Sequence, residues 1–253
     1  YLPSLANKVW EDTQNPENEI GKILQLEIKR ARIRVEILKK ESDPHAKYEL
    51  FQRLNTGGTK LSEQEVRNCI AVMLNPKFFA WLKSCAEIPS FMRTTSQTDD
   101  AIDKQAHMEL ALKFFAYRHF PYIPGMDIHE HLDYAIVELC KKDLDLENEK
   151  DNFTAIFDLL DKALSDKAFK RWDGTNFKGK FLISLYETIT NGIQANIKDI
   201  NGIGIEDDIL EFITIKSKNL WSEESFTSNS GAGVRGTTRL SNLLPFSVEY
   251  FKN

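Results

Sequence analysis

The 253 residues read as a mainly α protein, a helical bundle that follows a small α/β portion with one strand. Three observations predict it. Long windows after residue 75 repeat apolar side chains at three and four, the period of a helix with one buried face. One early segment alternates apolar and charged residues, the period of a half-buried strand. The chain is 42% hydrophobic and 28% charged, enough apolar material for one large or two modest cores.

The strand is expected over residues 31–40, where Ile33, Val35 and Ile37 alternate with Arg32, Arg34 and Glu36. A single strand leaves its ladder groups unpaired, and no second strand is expected among the other residues. Its partners are therefore expected upstream of Tyr1 in the same protein, which would complete the sheet, or on another chain. The lack of an initiating Met fits a trimmed amino terminus.

Helices are expected over 75–87, 99–120, 128–140, 152–164, 181–200 and 205–220. In the second of these, Ile102, Ala106, Leu110, Phe114 and Tyr117 form a stripe; in the fifth, Leu182, Leu185, Ile189, Ile193 and Ile197 do the same. Pro89, Pro121, Pro124 with Gly125, and the cluster from Trp172 to Asn176 mark turns. A division into residues 1–75 and 76–253 follows, although the helix opening at Ser62 fits either side.

The sharpest local signal is residues 51–68, FQRLNTGGTKLSEQEVRN. Gly57 and Gly58 permit positive φ and close backbone approach, and Arg53 and Asn55 stand beside them. Ser62 followed by Glu65 is a capping box, with Leu61 and Val66 at hydrophobic-staple spacing. Such a turn either faces a phosphate with its amides and guanidinium or simply joins two helices. Arg67 is positioned to pair with Glu63 on the surface, and Asn68 calls for a partner because Asn is a poor mid-helix residue.

Phe51, Arg53, Leu54, Asn55, Gly57, Gly58, Leu61, Ser62, Glu65, Arg67 and Asn68 together resemble the signature of the GmrSD restriction-endonuclease family, also catalogued as domain of unknown function 262, itself similar to the ParB nucleotide-binding fold. The resemblance implies that residues 1–75 are the carboxy-terminal part of a ParB-like nucleotide-binding domain. It implies a nucleotide or phosphate site on Arg53, Asn55, Gly57, Gly58 and Asn68, with a nucleoside triphosphate and magnesium as the guest in the whole protein. It further implies a restriction or anti-phage role, with DNA and a nuclease domain or subunit as partners. Gly58 stands where ParB-like proteins carry an Arg. An upstream Asp-Gly-Gln-Gln-Arg box and a His-Asn-His nuclease domain, used by the family's enzymes, are not found in the sequence, so this segment is not expected to be catalytic alone.

Two further segments are candidates for DNA or anion contact. In SNSGAGVRGTTR, residues 228–239, Arg235 and Arg239 accompany three glycines, and the alternative is a mobile surface loop. Arg32 and Arg34 belong to a basic run from Lys29 to Lys40, whose duller explanation is the soluble side of a strand. His129 and His131 with Asp127, Glu130 and Asp133 invite a metal reading, but two residues of spacing set the imidazoles on opposite helix faces. Asp127 with Glu130, and Asp99 with Asp100 and Asp103, read better as helix starts. No catalytic triad or metal set is proposed.

The formal charge of −5 argues against a protein that coats nucleic acid non-specifically. Cys69, Cys85 and Cys140 form no metal or disulfide pattern, so a cytoplasmic, reducing location is expected. No apolar run approaches membrane-spanning length. Two other classes remain open: a helical protein–protein interaction module without a nucleotide site, and a salt-sensitive DNA-binding module.

Overall fold

A computed structural model of the chain describes residues 5–32, 35 and 61–253. The chain divides into two compact units, Tyr1–Asp43 and Pro44–Asn253. The mainly α class is what the structure shows: about 70% of the described residues are helical, with twelve α-helices and one two-stranded antiparallel sheet among them.

In the first unit, Val9 and Glu19 form an isolated parallel bridge, with Val9 N–H donating to Asn18 O at 2.8 Å. Helix α1 (Lys22–Arg30) follows from Gly21, whose φ of +82° suits a residue without Cβ. The Gln25 amide donates to the Trp10 carbonyl, and the Lys29 ammonium lies 5.5 Å from the Trp10 ring centroid. The sequence reading does not anticipate α1, and it places Lys29 and Arg30 in a basic run along a strand; they occupy the last helical turn instead. Ala31 caps α1 and Arg32 is exposed, while Ile33, Arg34 and Glu36 to Lys40 lie outside the described residues, so most of the expected strand does too.

Among the described residues of the second unit the first helix is α2 (Glu63–Leu74), and its start is set by local chemistry. Ser62 Oγ accepts from Glu65 N–H at 3.2 Å, and Glu65 Oε2 accepts from Ser62 N–H at 2.6 Å, the reciprocal capping box. Val66 is buried and Leu61 packs on the core, as the staple spacing predicts. Asn75 caps α3 (Pro76–Ala86), its Oδ1 accepting from Phe78 N–H at 3.0 Å. Pro89 starts α4 (Pro89–Thr95), and Thr98 caps α5 (Asp99–Asp103). The helix expected over 99–120 is thus two helices: Gln105 at φ +65° separates α5 from α6 (Ala106–His119).

Asp127 caps α7 (Ile128–Lys141) by accepting from the His129 and Glu130 amides, and Asp145 caps α8 (Leu146–Leu164), which begins six residues before its expected start. The cluster read as a turn is a hairpin: β1 (Arg171–Trp172) pairs antiparallel with β2 (Phe177–Lys178). That corrects the expectation of no second strand, because two-residue strands leave no periodicity to detect. Then come α9 (Ile183–Asn201), α10 (Glu206–Asn219), α11 (Glu224–Ser230) and α12 (Gly236–Tyr250).

Most helices of the second unit share one core. Phe91, Phe114, Phe115, Phe153, Phe157 and Tyr186 interlock, for example Phe114 edge-on to Phe153 at 4.9 Å between centroids. Tyr186 hides its hydroxyl by donating to Leu110 O at 2.7 Å. The α9–α12 pair packs most extensively, Asn191 and Asn196 donating to the Leu244 and Val248 carbonyls. Helix α2 packs on α7, α3 and α6, so the capping-box helix is built into the bundle rather than set apart from it at Asn75.

Candidate functional site

The glycine turn itself, with Arg53, Asn55, Gly57 and Gly58, lies outside the described residues. Its flank does not. Helix α2 carries Gln64, Arg67 and Asn68 on one face, at spacings of three and four. The Arg67 side chain is 0% exposed, and the expected surface pair with Glu63 does not form. Instead Arg67 Nε donates to Asp133 Oδ1 at 2.7 Å, and Nη1 lies 3.6 Å from Glu109 Oε2. Arg67 Nη2 sits 3.0 Å from Nδ1 of His129, and because a guanidinium only donates, that nitrogen accepts.

A buried guanidinium without counter-charge would be prohibitively costly, so the acids on α6 and α7 are what allow Arg67 inside. Burial by itself would raise the Glu109 carboxyl, but Lys113 and then Arg67 hold it below the usual range. Lys113 Nζ reaches Glu109 Oε1 at 2.8 Å, again from an almost fully buried position. Asn68 closes the flank: its Oδ1 accepts from Gln64 Nε2 at 2.9 Å and its Nδ2 donates to Gln105 Oε1 at 3.3 Å. Both ends of that amide are engaged inside the protein, so a phosphate contact at Asn68 would require it to leave these partners.

Helix α6 continues the polar face with Glu109, Lys113 and Tyr117 at successive spacings of four. Tyr117 leads to a second buried charge. Glu187 on α9 is 0% exposed; its Oε2 accepts from Arg239 Nε at 2.7 Å and its Oε1 from Arg239 Nη2 at 3.3 Å and Tyr117 Oη at 3.5 Å. The two-pronged pair joins α9 to α12. Burial and then the Glu187 carboxylate push the Tyr117 phenol well above its ordinary range.

Arg239 is therefore a correction. The sequence reads it as poised for an anion beside a glycine-rich loop, at the start of a helix expected near Thr237 or Thr238; the helix is there, but the guanidinium is committed to Glu187. Residues 228–230 of that region close α11, leaving a short turn before α12. Arg235 is the exposed N-cap of α12. Arg32, exposed after α1, belongs to the first unit, and Arg34 lies outside the described residues.

His129 and His131 diverge as their spacing demands, His129 toward Arg67 and buried His131 between the rings of Tyr117 and Tyr122. Among the described residues no group of His, Cys, Asp and Glu could hold a metal. Cys85 and Cys140 are buried thiols pushed up to about 12, and burial raises half-buried Cys69 too, which suits structural rather than reactive roles.

The sequence reading misses Glu109, Lys113 and Glu187, and it weighs Asp133 only as a metal ligand, not as the partner of Arg67. One signal was there: Glu109 and Lys113 interrupt an otherwise apolar run, MELALKFFAY, four apart, which marks charge on a helix whose every face is enclosed. Asp133 and Glu187 carry no such mark. What the arrangement does is fasten α2, α6, α7, α9 and α12 through charge-balanced contacts, tying the helix that follows the glycine motif in sequence to the bundle.

No protein-family model, no curated protein and no solved structure matches the chain. No helix among the described residues is long and apolar enough to cross a membrane.

Proposed function

We propose that the chain is part of a GmrSD-like protein of a restriction or anti-phage defence system, contributing to nucleotide binding and DNA targeting in the whole protein. Arg53 and Asn55, with the backbone of Gly57 and Gly58, form one wall of a site for a nucleoside triphosphate and its magnesium. The helical bundle couples that wall to DNA or to a nuclease partner. Nucleotide hydrolysis belongs, in this reading, to the Asp-Gly-Gln-Gln-Arg box and DNA cleavage to the nuclease domain, neither of which these residues carry. Three unbonded cysteines suit a reducing cytoplasm.

The observation that supports the reading is continuity. The motif's last residues, Leu61, Ser62, Glu65, Arg67 and Asn68, are the opening of α2, a helix whose start is doubly capped and whose body is clamped by Arg67 to α6 and α7. A ligand site on a turn gains affinity when the element beside it does not move. Calorimetric titration with nucleoside triphosphates and magnesium tests the proposal, on this chain and on a longer one carrying the gene's upstream sequence. Heat from the longer form supports a site completed from upstream; heat from neither contradicts nucleotide binding.

A further inference from the structure

A second site candidate is formed by residues outside the bundle's polar network. Between the β1–β2 hairpin and the connection from α10 to α11 is a cleft of about 630 Å³, within the usual range for small-molecule sites. Arg171, Trp172, Lys218, Trp221, Thr227 and Ser230 are among its lining residues.

Two indoles in one cleft each carry a cation. The Arg171 guanidinium lies 5.3 Å from the Trp221 ring centroid, and the Lys218 ammonium lies 4.7 Å from that of Trp172. The single acid among the lining residues, Asp173, is turned to other work: its Oδ1 accepts from the Thr175 and Asn176 amides at 2.8 and 2.7 Å, and its carboxylate pairs with Lys178. Arg171 and Lys218 thus meet ring faces inside the cleft, where a chain with a formal charge of −5 has placed local positive charge. The indoles are braced from behind, Trp172 against Phe177 at 4.8 Å and Trp221 edge-on to Phe226 at 5.3 Å.

We propose that this cleft binds a nucleotide unit, its base stacked on an indole and its phosphate held by Arg171 and Lys218. A phosphate draws each cation off its ring, and the vacated face takes the base. Base–indole stacking outweighs the exposed cation–π contact it replaces, and the new ion contact adds to it. Thr227 and Ser230 supply hydroxyls for the sugar or phosphate edge. The same chemistry is presented by a free nucleotide and by an unpaired strand, and a paired duplex, whose bases are stacked away, does not offer it.

Fluorescence anisotropy tests this on the full chain, with a labelled oligothymidylate of roughly eight nucleotides, within the span that stacking grooves cover. The strand should bind, weakening as salt rises. Arg171→Glu with Lys218→Glu should weaken binding by about tenfold or more, and Trp172→Ala by several-fold, with melting temperatures matching the parent. Competition by thymidine monophosphate at equal nucleotide concentration identifies a free nucleotide as the ligand; failure to compete identifies a strand. Absence of binding by both, equal binding of a duplex, or unchanged affinity in the charge-reversed protein would overturn the proposal. Asn55→Ala should leave this binding intact. Binding lost in Asn55→Ala but kept in the charge-reversed protein would move the site to the glycine turn, ending this proposal and not the preceding one.

Discussion

Arg67 on α2 and Asp133 on α7 meet at 2.7 Å across 66 residues of chain, with the Arg67 side chain wholly buried. One guanidinium therefore decides how the helix that continues the glycine motif sits on the bundle.

Arg67→Met should destabilise the protein by about 3 kcal/mol in denaturant melts, the low end for breaking a buried pair. The figure is low because the Glu109 and Asp133 side chains are 25% and 22% exposed, so water reaches the acids left behind. Glu63→Ala, at the exposed position once expected to pair with Arg67, should change stability by less than about 0.5 kcal/mol.

Glu187→Gln leaves Arg239 facing a neutral amide at a wholly buried position and should cost about 2 kcal/mol. Tyr117→Phe removes a longer bond to the same carboxylate, 3.5 Å, and should cost under about 1 kcal/mol. A larger loss from Tyr117→Phe than from Glu187→Gln would contradict the assignment of Arg239 as the main partner.

Acid should weaken the fold in two stages, read by melts across pH. Burial depresses the His131 imidazole below its ordinary 6.5, so the unfolded chain takes the proton first and stability falls as pH drops below that value. His131→Phe should lessen this first stage, which His107, also lowered by burial, shares. Glu109 is also held low, so its contribution is whole above the ordinary 4.5 and is lost as pH falls through its lower folded value. Glu109→Gln should lessen the second stage, to which the low-held Glu149, Asp166 and Asp173 also contribute, and leave the first.

Gly192 in α9 lies where an added Cβ would strike the Phe251 ring and come 2.8 Å from the Ser247 carbonyl. Gly192→Ala should cost about 1–3 kcal/mol through overpacking of the α9–α12 contact. Gly236→Ala meets only the flexible tip of Ile128 and the far end of Arg239, and should cost less.

Long periodic helices were legible in the sequence because burial on one face leaves a repeat. Helix α9 matches its expected span closely, its stripe from Leu185 to Ile197 facing the core. The α5–α6 break was hidden because Gln105 adopts positive φ without being Gly or Asn, the residues that usually announce it. The start of α8 was hidden because LENEKD has no apolar stripe, only a capping Asp145. The site was legible only at its edge. Ser62 and Glu65 declare themselves through fixed local spacing, whereas the direction in which Arg67 turns depends on acids 42 and 66 residues away, Glu109 and Asp133, which no local pattern reveals.

The central claim is that Asn55, beside Gly57 and Gly58, faces a nucleotide. Calorimetry with magnesium and a nucleoside triphosphate, on Asn55→Ala and its parent in the upstream-extended protein, tests it most directly. The account predicts heat from the parent, none from Asn55→Ala, and equal melting temperatures. Equal affinity in the two proteins would contradict it.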